Sequence, residues 1–290
     1  WSHPHWWIEK VKADYPERWQ SILQAGLMHP PFTLRVNARQ TTPGAYLQRL
    51  GEAGLPAQPT GAIALTLDKA VPVHQLPGFA DGAVSIQDAG AQWAAVLLDA
   101  QPGQRVLDAC AAPGGKTGHL LETADLDLTA LDIDSTRLDR IRENLDRLKL
   151  AAQLVQGDAA QPASWWDGRL YDRILADVPC TASGVVRRNP DIKWLRRPED
   201  IAGFARQQAA MLDALWPLLA PGGKLLYVTC SIFPEENTLQ VQAFIDRQNN
   251  KNQVKPGGPE VERCPLPLGN GQILPDATHD GFFYALLRKR

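Results

Sequence analysis

The sequence predicts an α/β protein with a mostly parallel, seven-stranded sheet that has helices on both faces, preceded by a small α+β subdomain. After Gly103, short apolar segments typical of strands alternate with segments typical of helices. The clearest helix, residues 135–148, carries Leu138, Ile141 and Leu145 at helical spacing. Strands that alternate with helices indicate a parallel sheet that is covered on both faces. Residues 1–100 lack this alternation, so we place a domain boundary between 1–100 and 101–290.

The elements of the first part follow from local patterns. Residues 6–27 predict one or two helices, and residues 72–82 are rich in turn formers. The remaining predicted elements are strands at 33–36, 63–67 and 83–87 and helices at 43–53 and 92–99.

The second part predicts the parallel sheet. Its predicted strands are 105–109, 126–132, 153–156, 171–176, 225–229, 272–274 and 282–287, and its predicted helices are 116–122, 135–148, 198–219 and 235–247. In such sheets, ligands bind beyond the carboxyl ends of the strands. The residues directly after each strand are therefore the candidates for function.

Composition bounds the function classes. The 290 residues carry a net charge of −2, with 44% apolar and 21% charged residues, as in soluble globular proteins. We expect no membrane span and no secretion signal, and hence a cytoplasmic protein. The four cysteines form no CxxC pair, so we expect neither a metal site nor disulfides. The chain does not begin with Met, and we expect it to be part of a longer protein.

The loop after the first strand of the sheet is rich in small residues, which allow close approach of a ligand. A P-loop would need glycine where Cys110 stands, and the dinucleotide fingerprint is absent. A nucleoside ligand without a pyrophosphate remains, and S-adenosyl-L-methionine fits; the alternative is a tight turn without a ligand. The candidate residues are Cys110, Ala111, Ala112, Pro113, Gly114, Gly115 and Lys116.

Two acidic residues follow the next strands. Asp132 is suited to bind both ribose hydroxyls, although Asp134 beside it could simply cap a helix. Asp158 could hold the adenine amino group or could serve only as a turn residue.

Two cysteines follow the strands that end at Asp177 and Thr229. If these strands are neighbours, Cys180 and Cys230 face one cleft, whereas the alternative is that both are inert core residues. A thiolate that attacks carbon 6 of cytosine makes carbon 5 nucleophilic enough to accept a methyl group. Asp177 could bind the cytosine amino group and N3. Amino-group methyltransferases usually carry an Asn-Pro-Pro-Tyr motif at this place, so Asp-Val-Pro-Cys favours carbon as the acceptor.

The loop after Cys180 concentrates positive charge. Residues 187–197 contain five cations and one acid. These cations suit phosphates, and Trp194 could stack on a base, whereas the alternative is a solvated charged loop.

The ordered motifs DACAAPGGKT, LDID, QGD, ADVPCTASGVVRRNPDIKW and VTCSIFPEEN closely resemble the RsmB/Sun (Fmu) group of rRNA cytosine-C5 methyltransferases, within the NOL/NOP/Sun superfamily. The resemblance implies a Rossmann-like S-adenosylmethionine-dependent methyltransferase fold and methylation of cytosine in 16S ribosomal RNA. It implies that Cys230 is the nucleophile, that Cys180 assists product release, and that Asp177 lies where cofactor and cytosine meet. It likewise implies that residues 110–116, Asp132 and Asp158 bind the cofactor.

Residues 33–37 resemble the small RNA-binding subdomain of that group. Full-length members usually begin with an all-helical NusB-like domain, which this chain lacks, so part of the RNA-binding surface is expected elsewhere. The competing hypotheses are a non-catalytic RNA-binding assembly factor, a methyltransferase acting on tRNA or another RNA, and one acting on a small molecule or a protein.

Overall fold

The computed structural model describes residues 1–254 and 260–290. These residues form a four-stranded sheet in the order β2-β3-β1-β4, and an eight-stranded sheet in the order β10-β12-β9-β8-β5-β6-β7 with β11 paired to β12. The elements before residue 100 are α1 (His5–Asp14), α2 (Trp19–Ala25), β1 (Phe32–Val36), α3 (Pro43–Glu52), β2 (Ala57–Pro59), β3 (Ala64–Leu67), β4 (Val84–Ile86) and α4 (Trp93–Leu98). The later ones are β5 (Arg105–Ala109), α5 (Gly115–Thr123), β6 (Asp127–Asp132), α6 (Ser135–Leu148), β7 (Gln153–Gln156), β8 (Tyr171–Asp177), α7 (Ile192–Leu195), α8 (Pro198–Leu215), β9 (Leu219–Thr229), α9 (Thr238–Val254), β10 (Val261–Arg263), β11 (Gln272–Ile273) and β12 (Phe282–Lys289).

The larger sheet is the predicted one. Strands β5 to β9 pair in parallel, and only the tail strands β10, β11 and β12 run antiparallel. Adjacent residues of β5 point to opposite faces: Leu107 packs into a core with α8 and α9, and Val106 into a core with α4, α5 and α6. The prediction of a mostly parallel sheet with helices on both faces is confirmed. Strand β10, which the sequence analysis missed, makes it eight strands rather than seven.

Three boundaries differ from the prediction for identifiable reasons. Helix α8 ends at Leu215, four residues early, because Pro217 has no N–H and the chain continues as the 3-10 turn Trp216–Leu218. Strand β9 consequently starts at Leu219. The helix expected from residue 235 begins at Thr238, after a second 3-10 turn.

Two ionic contacts, one buried and one partly buried, join the smaller sheet to the larger one. From β1, Arg35 donates two hydrogen bonds of 2.7 Å to Glu122 on α5 and a third, also 2.7 Å, to the Gly115 carbonyl. Arg188 contacts both Asp88, just after β4, and Asp280, just before β12. The smaller unit is thus attached to both ends of α5 and to the loop after β8. The domain boundary near residue 100 stays a prediction.

Candidate active site

The loop between β5 and α5 makes a sharp turn that the sequence permits through small residues. Cys110 and Gly114 both adopt positive φ, at 62° and 92°. A Cβ on Gly114 would lie 3.2 Å from Ile141 Cα, so glycine is required by both conformation and space. The turn is bound to β6, because the Ala112 N–H donates to Asp132 Oδ2 at 3.0 Å.

A cavity of about 90 Å³ opens between this loop and the ends of β6 and β7. The sequence-predicted residues Cys110, Asp132 and Asp158 share it, and Ile133, 63% exposed, adds an apolar surface beside Asp132. The full lining is Cys110, Asp132, Ile133, Arg137, Gly157, Asp158, Ala159, Pro179, Gln207 and Met211. Carboxylates beside apolar side chains suit the ribose and the base of a nucleoside.

Trp165 fixes the position of the Asp158 loop. Its indole Nε1 donates to the Asp158 carbonyl at 2.8 Å, and its ring covers Gly157, where a Cβ would lie only 2.5 Å away. The Asp158 carboxylate accepts from the Ala160 N–H at 2.8 Å. The sequence analysis gave Trp165 no role. Its signal was too weak, because a tryptophan near a strand end is usually a packing residue.

Asp108 is a second residue that sequence reasoning passed over, although it lies inside the first motif. It is fully buried, and Thr117 Oγ1 donates to its Oδ2 at 2.6 Å. Its Oδ1 has no hydrogen-bond partner in the part of the chain that the structure describes. Burial raises the pKa of Asp108 to about 7, and the charge of Asp177 adds to this effect.

Lys116 and Asp177 form an ion pair at the edge where β5 and β8 end. The Lys116 Nζ lies 2.7 Å from Asp177 Oδ2. Burial acts to lower the pKa of Lys116, but the charge and the hydrogen bond of Asp177 outweigh it, so the pKa is raised and the ammonium persists. The Asp177 side chain is 28% exposed, which leaves it accessible to a ligand.

The two cysteines meet as the strand order requires. Strands β8 and β9 are parallel neighbours, and Cys180 Sγ lies 3.4 Å from Cys230 Sγ. The hydrogen bond with Cys230, burial and the charge of Glu236 raise the pKa of Cys180 well above its usual value, so Cys180 is a neutral thiol. Cys230 also contributes to the raised pKa of Lys116, so an ammonium lies within electrostatic range of this sulfur.

The basic loop differs from the expectation. Arg187 is buried and pairs with Asp280 at 2.5 Å, while Arg188 contacts Asp88 and Asp280. Lys193 is also buried. The prediction that the cations of this loop bind phosphates is wrong for Arg187, which cannot reach solvent, and Arg188 is engaged in ion pairs. Arg196 is half-buried and donates to the Thr181 carbonyl at 3.2 Å, Arg197 is exposed, and Trp194 is 60% exposed.

Among residues 1–254 and 260–290, no helix is long and apolar enough to cross a membrane. The same residues contain no group of three or more His, Cys, Asp or Glu side chains placed to hold a metal ion.

The parallel sheet, the cavity at its carboxyl edge and the adjoining sulfurs define a Rossmann-like methyltransferase. Residues 95–288 match the model of the 16S rRNA methyltransferase RsmB/F family, and residues 3–74 match its RsmF/B-like ferredoxin-like domain. The chain belongs to the RsmB/F methyltransferase family.

Its relatives agree with this assignment. Ribosomal RNA small subunit methyltransferase B of Vibrio cholerae is 49% identical over 293 residues, and that of Escherichia coli is 46% identical over 292. These matches cover 100% and 99% of this chain and 66% of each relative, so the chain spans just under two thirds of their length. A solved structure described as a methyltransferase homolog protein from Pyrococcus horikoshii has a TM-score of 0.84 at 28% identity, covering 100% of this chain and 96% of that one.

Proposed function

We propose that this chain transfers a methyl group from S-adenosyl-L-methionine to carbon 5 of a cytosine in 16S ribosomal RNA, through a covalent bond between Cys230 and carbon 6. The observation that carries the proposal is the 3.4 Å contact between Cys180 and Cys230, near the cavity that Asp132 and Asp158 line. Family membership supports the methyltransferase class and ribosomal RNA as the substrate. The cytoplasm is the proposed location.

The residues present fit the cofactor. When bound, S-adenosylmethionine supplies an electrophilic methyl group. Asp132, whose Oδ2 is aligned by Ala112, would accept hydrogen bonds from the ribose hydroxyls. Asp158 would bind the adenine amino group, and Ile133 would cover the base. Pro179, next to Cys180, lines the same cavity, so a cofactor bound there would lie close to the sulfurs.

The two sulfurs have different roles in the proposed reaction. The Cys230 thiolate would donate an electron pair to carbon 6, and the electron pair of the 5,6 double bond would move to carbon 5. Carbon 5 would then take the methyl group from the sulfonium sulfur, which would keep the electron pair of the broken bond and leave as S-adenosylhomocysteine. A base then removes the carbon 5 proton, and the electron pair that is released re-forms the double bond and expels the Cys230 thiolate. The raised pKa of Cys180 makes it a poor competing nucleophile, and its contact with Cys230 suits it to assist this release.

The ion pair between Lys116 and Asp177 supports the first step. The ammonium of Lys116 stabilises negative charge on the Cys230 sulfur, and Asp177 would bind the cytosine amino group and N3. If N3 is protonated, the ring accepts the electron pair more readily. Nucleophilic catalysis of this kind divides one difficult step into several easier ones.

Replacement of each cysteine tests the proposal. Cys180→Ala should accumulate a covalent protein–RNA adduct with 16S rRNA and S-adenosylmethionine, because release is impaired. Cys230→Ala should abolish both the adduct and the formation of 5-methylcytosine. The measurements are a gel shift under denaturing conditions and mass spectrometry of nucleosides.

Cys264→Ala provides the matched control, since this half-buried cysteine follows β10 and lies across β12 from β9, where its N–H donates to the Leu286 carbonyl. It should methylate like the unmodified protein. An adduct that persists in Cys230→Ala would mean that Cys180 is the nucleophile and that Cys230 assists release. If the unmodified protein yields no 5-methylcytosine and binds RNA without turnover, the non-catalytic assembly factor becomes the better account. Mapping 5-methylcytosine in rRNA from cells with and without the gene would identify the target nucleotide.

A further inference from the structure

One buried carboxylate contacts the residues that follow both cysteines. Glu236, in the 3-10 turn after β9, is fully buried. Its Oε1 accepts from the Thr181 N–H at 2.8 Å, and its Oε2 accepts from Thr181 Oγ1 at 2.6 Å and from Ser231 Oγ at 2.5 Å. Thr181 directly follows Cys180, and Ser231 directly follows Cys230. Glu236 therefore connects the two loops that carry the sulfurs.

Further contacts hold Glu236 itself in place. Gln208 on α8 donates from Nε2 both to Glu236 Oε1, at 3.2 Å, and to the carbonyl of Pro179, at 2.9 Å. The hydroxyl of Tyr227 on β9 donates to the Glu236 carbonyl at 2.6 Å. Gln208 on α8 thus anchors the carboxylate, and Tyr227 on β9 anchors the backbone of the same residue.

The donors around Glu236 select its ionised form. Thr181 supplies two of them, and Ser231 and Gln208 supply one each. Burial raises the pKa of Glu236, and these hydrogen bonds act in the opposite direction by stabilising the carboxylate. An ionised carboxylate, which only accepts hydrogen bonds, suits this set of donors.

We infer that Glu236 is a positioning residue that holds the loops of Cys180 and Cys230 together and so sets the contact between the two sulfurs. The expected loss of turnover rests on the proposed function, whereas the expected loss of contact between the two sulfurs does not. Glu236 touches neither the cavity that would hold the cofactor nor its lining residues Asp132 and Asp158. Its loss should therefore affect turnover and leave cofactor affinity unchanged.

Three variants separate this role from general stability. Glu236→Ala removes the carboxylate acceptor of Thr181 and Ser231, and their hydroxyls keep their contacts with each other and with Ser183. Glu236→Gln keeps one oxygen that can accept from the Thr181 N–H, while the NH2 group of its amide, which is a donor, replaces the second oxygen. Glu235→Gln is the matched control. Glu235 is the neighbour of Glu236 in the sequence, but its carboxylate contacts Lys10 at the surface, and its side chain is 40% exposed.

Disulfide formation measures the sulfur contact without RNA or cofactor. With diamide as the oxidant, the two thiols lose two protons and two electrons to form the Cys180–Cys230 bond, and diamide is reduced to the hydrazine. Peptide mass spectrometry identifies the pair by the loss of two hydrogens. Since misplacement by about 1 Å can cost about 100-fold in an intramolecular step, Glu236→Ala should slow this reaction by at least tenfold. Glu235→Gln should react like the unmodified protein.

Kinetics provide the second readout. In Glu236→Ala, kcat should fall by about 100-fold while the Kd of S-adenosylmethionine stays unchanged, and Glu236→Gln should recover part of the loss. If folded Glu236→Ala forms the disulfide at the normal rate, or methylates at the normal rate, the inference is wrong. If Glu236→Ala does not fold, Glu236→Gln decides, because a normal disulfide rate in that variant would also overturn it. A protein without methyltransferase activity but with the expected disulfide rates would refute the proposed function and leave the positioning role intact.

Discussion

The buried pair between Arg35 and Glu122 permits a quantitative test of how the two units are joined. Both side chains are almost inaccessible, at 0% and 2% exposure, and they share two hydrogen bonds of 2.7 Å. Arg35→Met leaves the Glu122 carboxylate buried without its partner. Glu122→Met likewise leaves the Arg35 guanidinium buried without its carboxylate. Breaking a buried pair in this way costs about 3–5 kcal/mol, a large part of the roughly 5–15 kcal/mol that stabilises a domain.

The double variant Arg35→Met/Glu122→Met should be less destabilised than Arg35→Met alone. It buries no charge, and it leaves only the Gln87 side-chain oxygen and the Gly115 carbonyl without their donor, at about 1–3 kcal/mol each. Urea unfolding followed by tryptophan fluorescence should thus give a coupling energy above about 2 kcal/mol. Arg39→Met, at the exposed pair with Asp125, is the control and should change stability little. Two single costs that add up to the double within about 0.5 kcal/mol would refute the reasoning.

Two further predictions concern the protonation of Asp108 and the binding of RNA by the loop after Cys180. Folding raises the pKa of Asp108 from 3.8 to about 7, so the stability of the protein should fall as pH rises through this interval. Asp108→Asn should therefore be more stable than the unmodified protein at pH 8, by up to about 4 kcal/mol. Near pH 4 the difference in stability should vanish. Thermal unfolding at several pH values measures this, and a constant difference would contradict it. At the exposed tip of the loop, Arg197→Ala should reduce the salt dependence of RNA binding by about one counterion, whereas Trp194→Ala should weaken binding by about 1–3 kcal/mol at unchanged salt dependence. If both variants show the same dependence of RNA binding on salt, Arg197 does not contact a phosphate.

The arrangement of the candidate site was predictable where it depends on strand order. Asp177, Cys180 and Cys230 follow strands that the alternating pattern makes parallel neighbours, and parallel strands end at one edge. Their approach to contact distance needed no information beyond this topology. Their chemical roles remain proposals.

Contacts between distant segments could not be predicted from local patterns. The cations at positions 187 and 188 looked available for phosphate, because their partner Asp280 lies 93 and 92 residues further along the chain. Glu235 and Glu236 are adjacent and chemically identical, yet one lies at the surface and the other in the core. The edge strand β10 has only three residues, too few for an alternation to be recognised.

Two of the ionic contacts between the smaller unit and the rest of the chain have a mechanical consequence. Arg35 and Arg188 anchor the smaller unit at separate points, one at α5 and one at the loop after β8. Two separate anchors resist rotation of the unit about either one, so we expect it to keep a fixed distance from the two cysteines. Under the proposed function, an RNA strand that touches both units must then adjust its own conformation to bring a cytosine to Cys230.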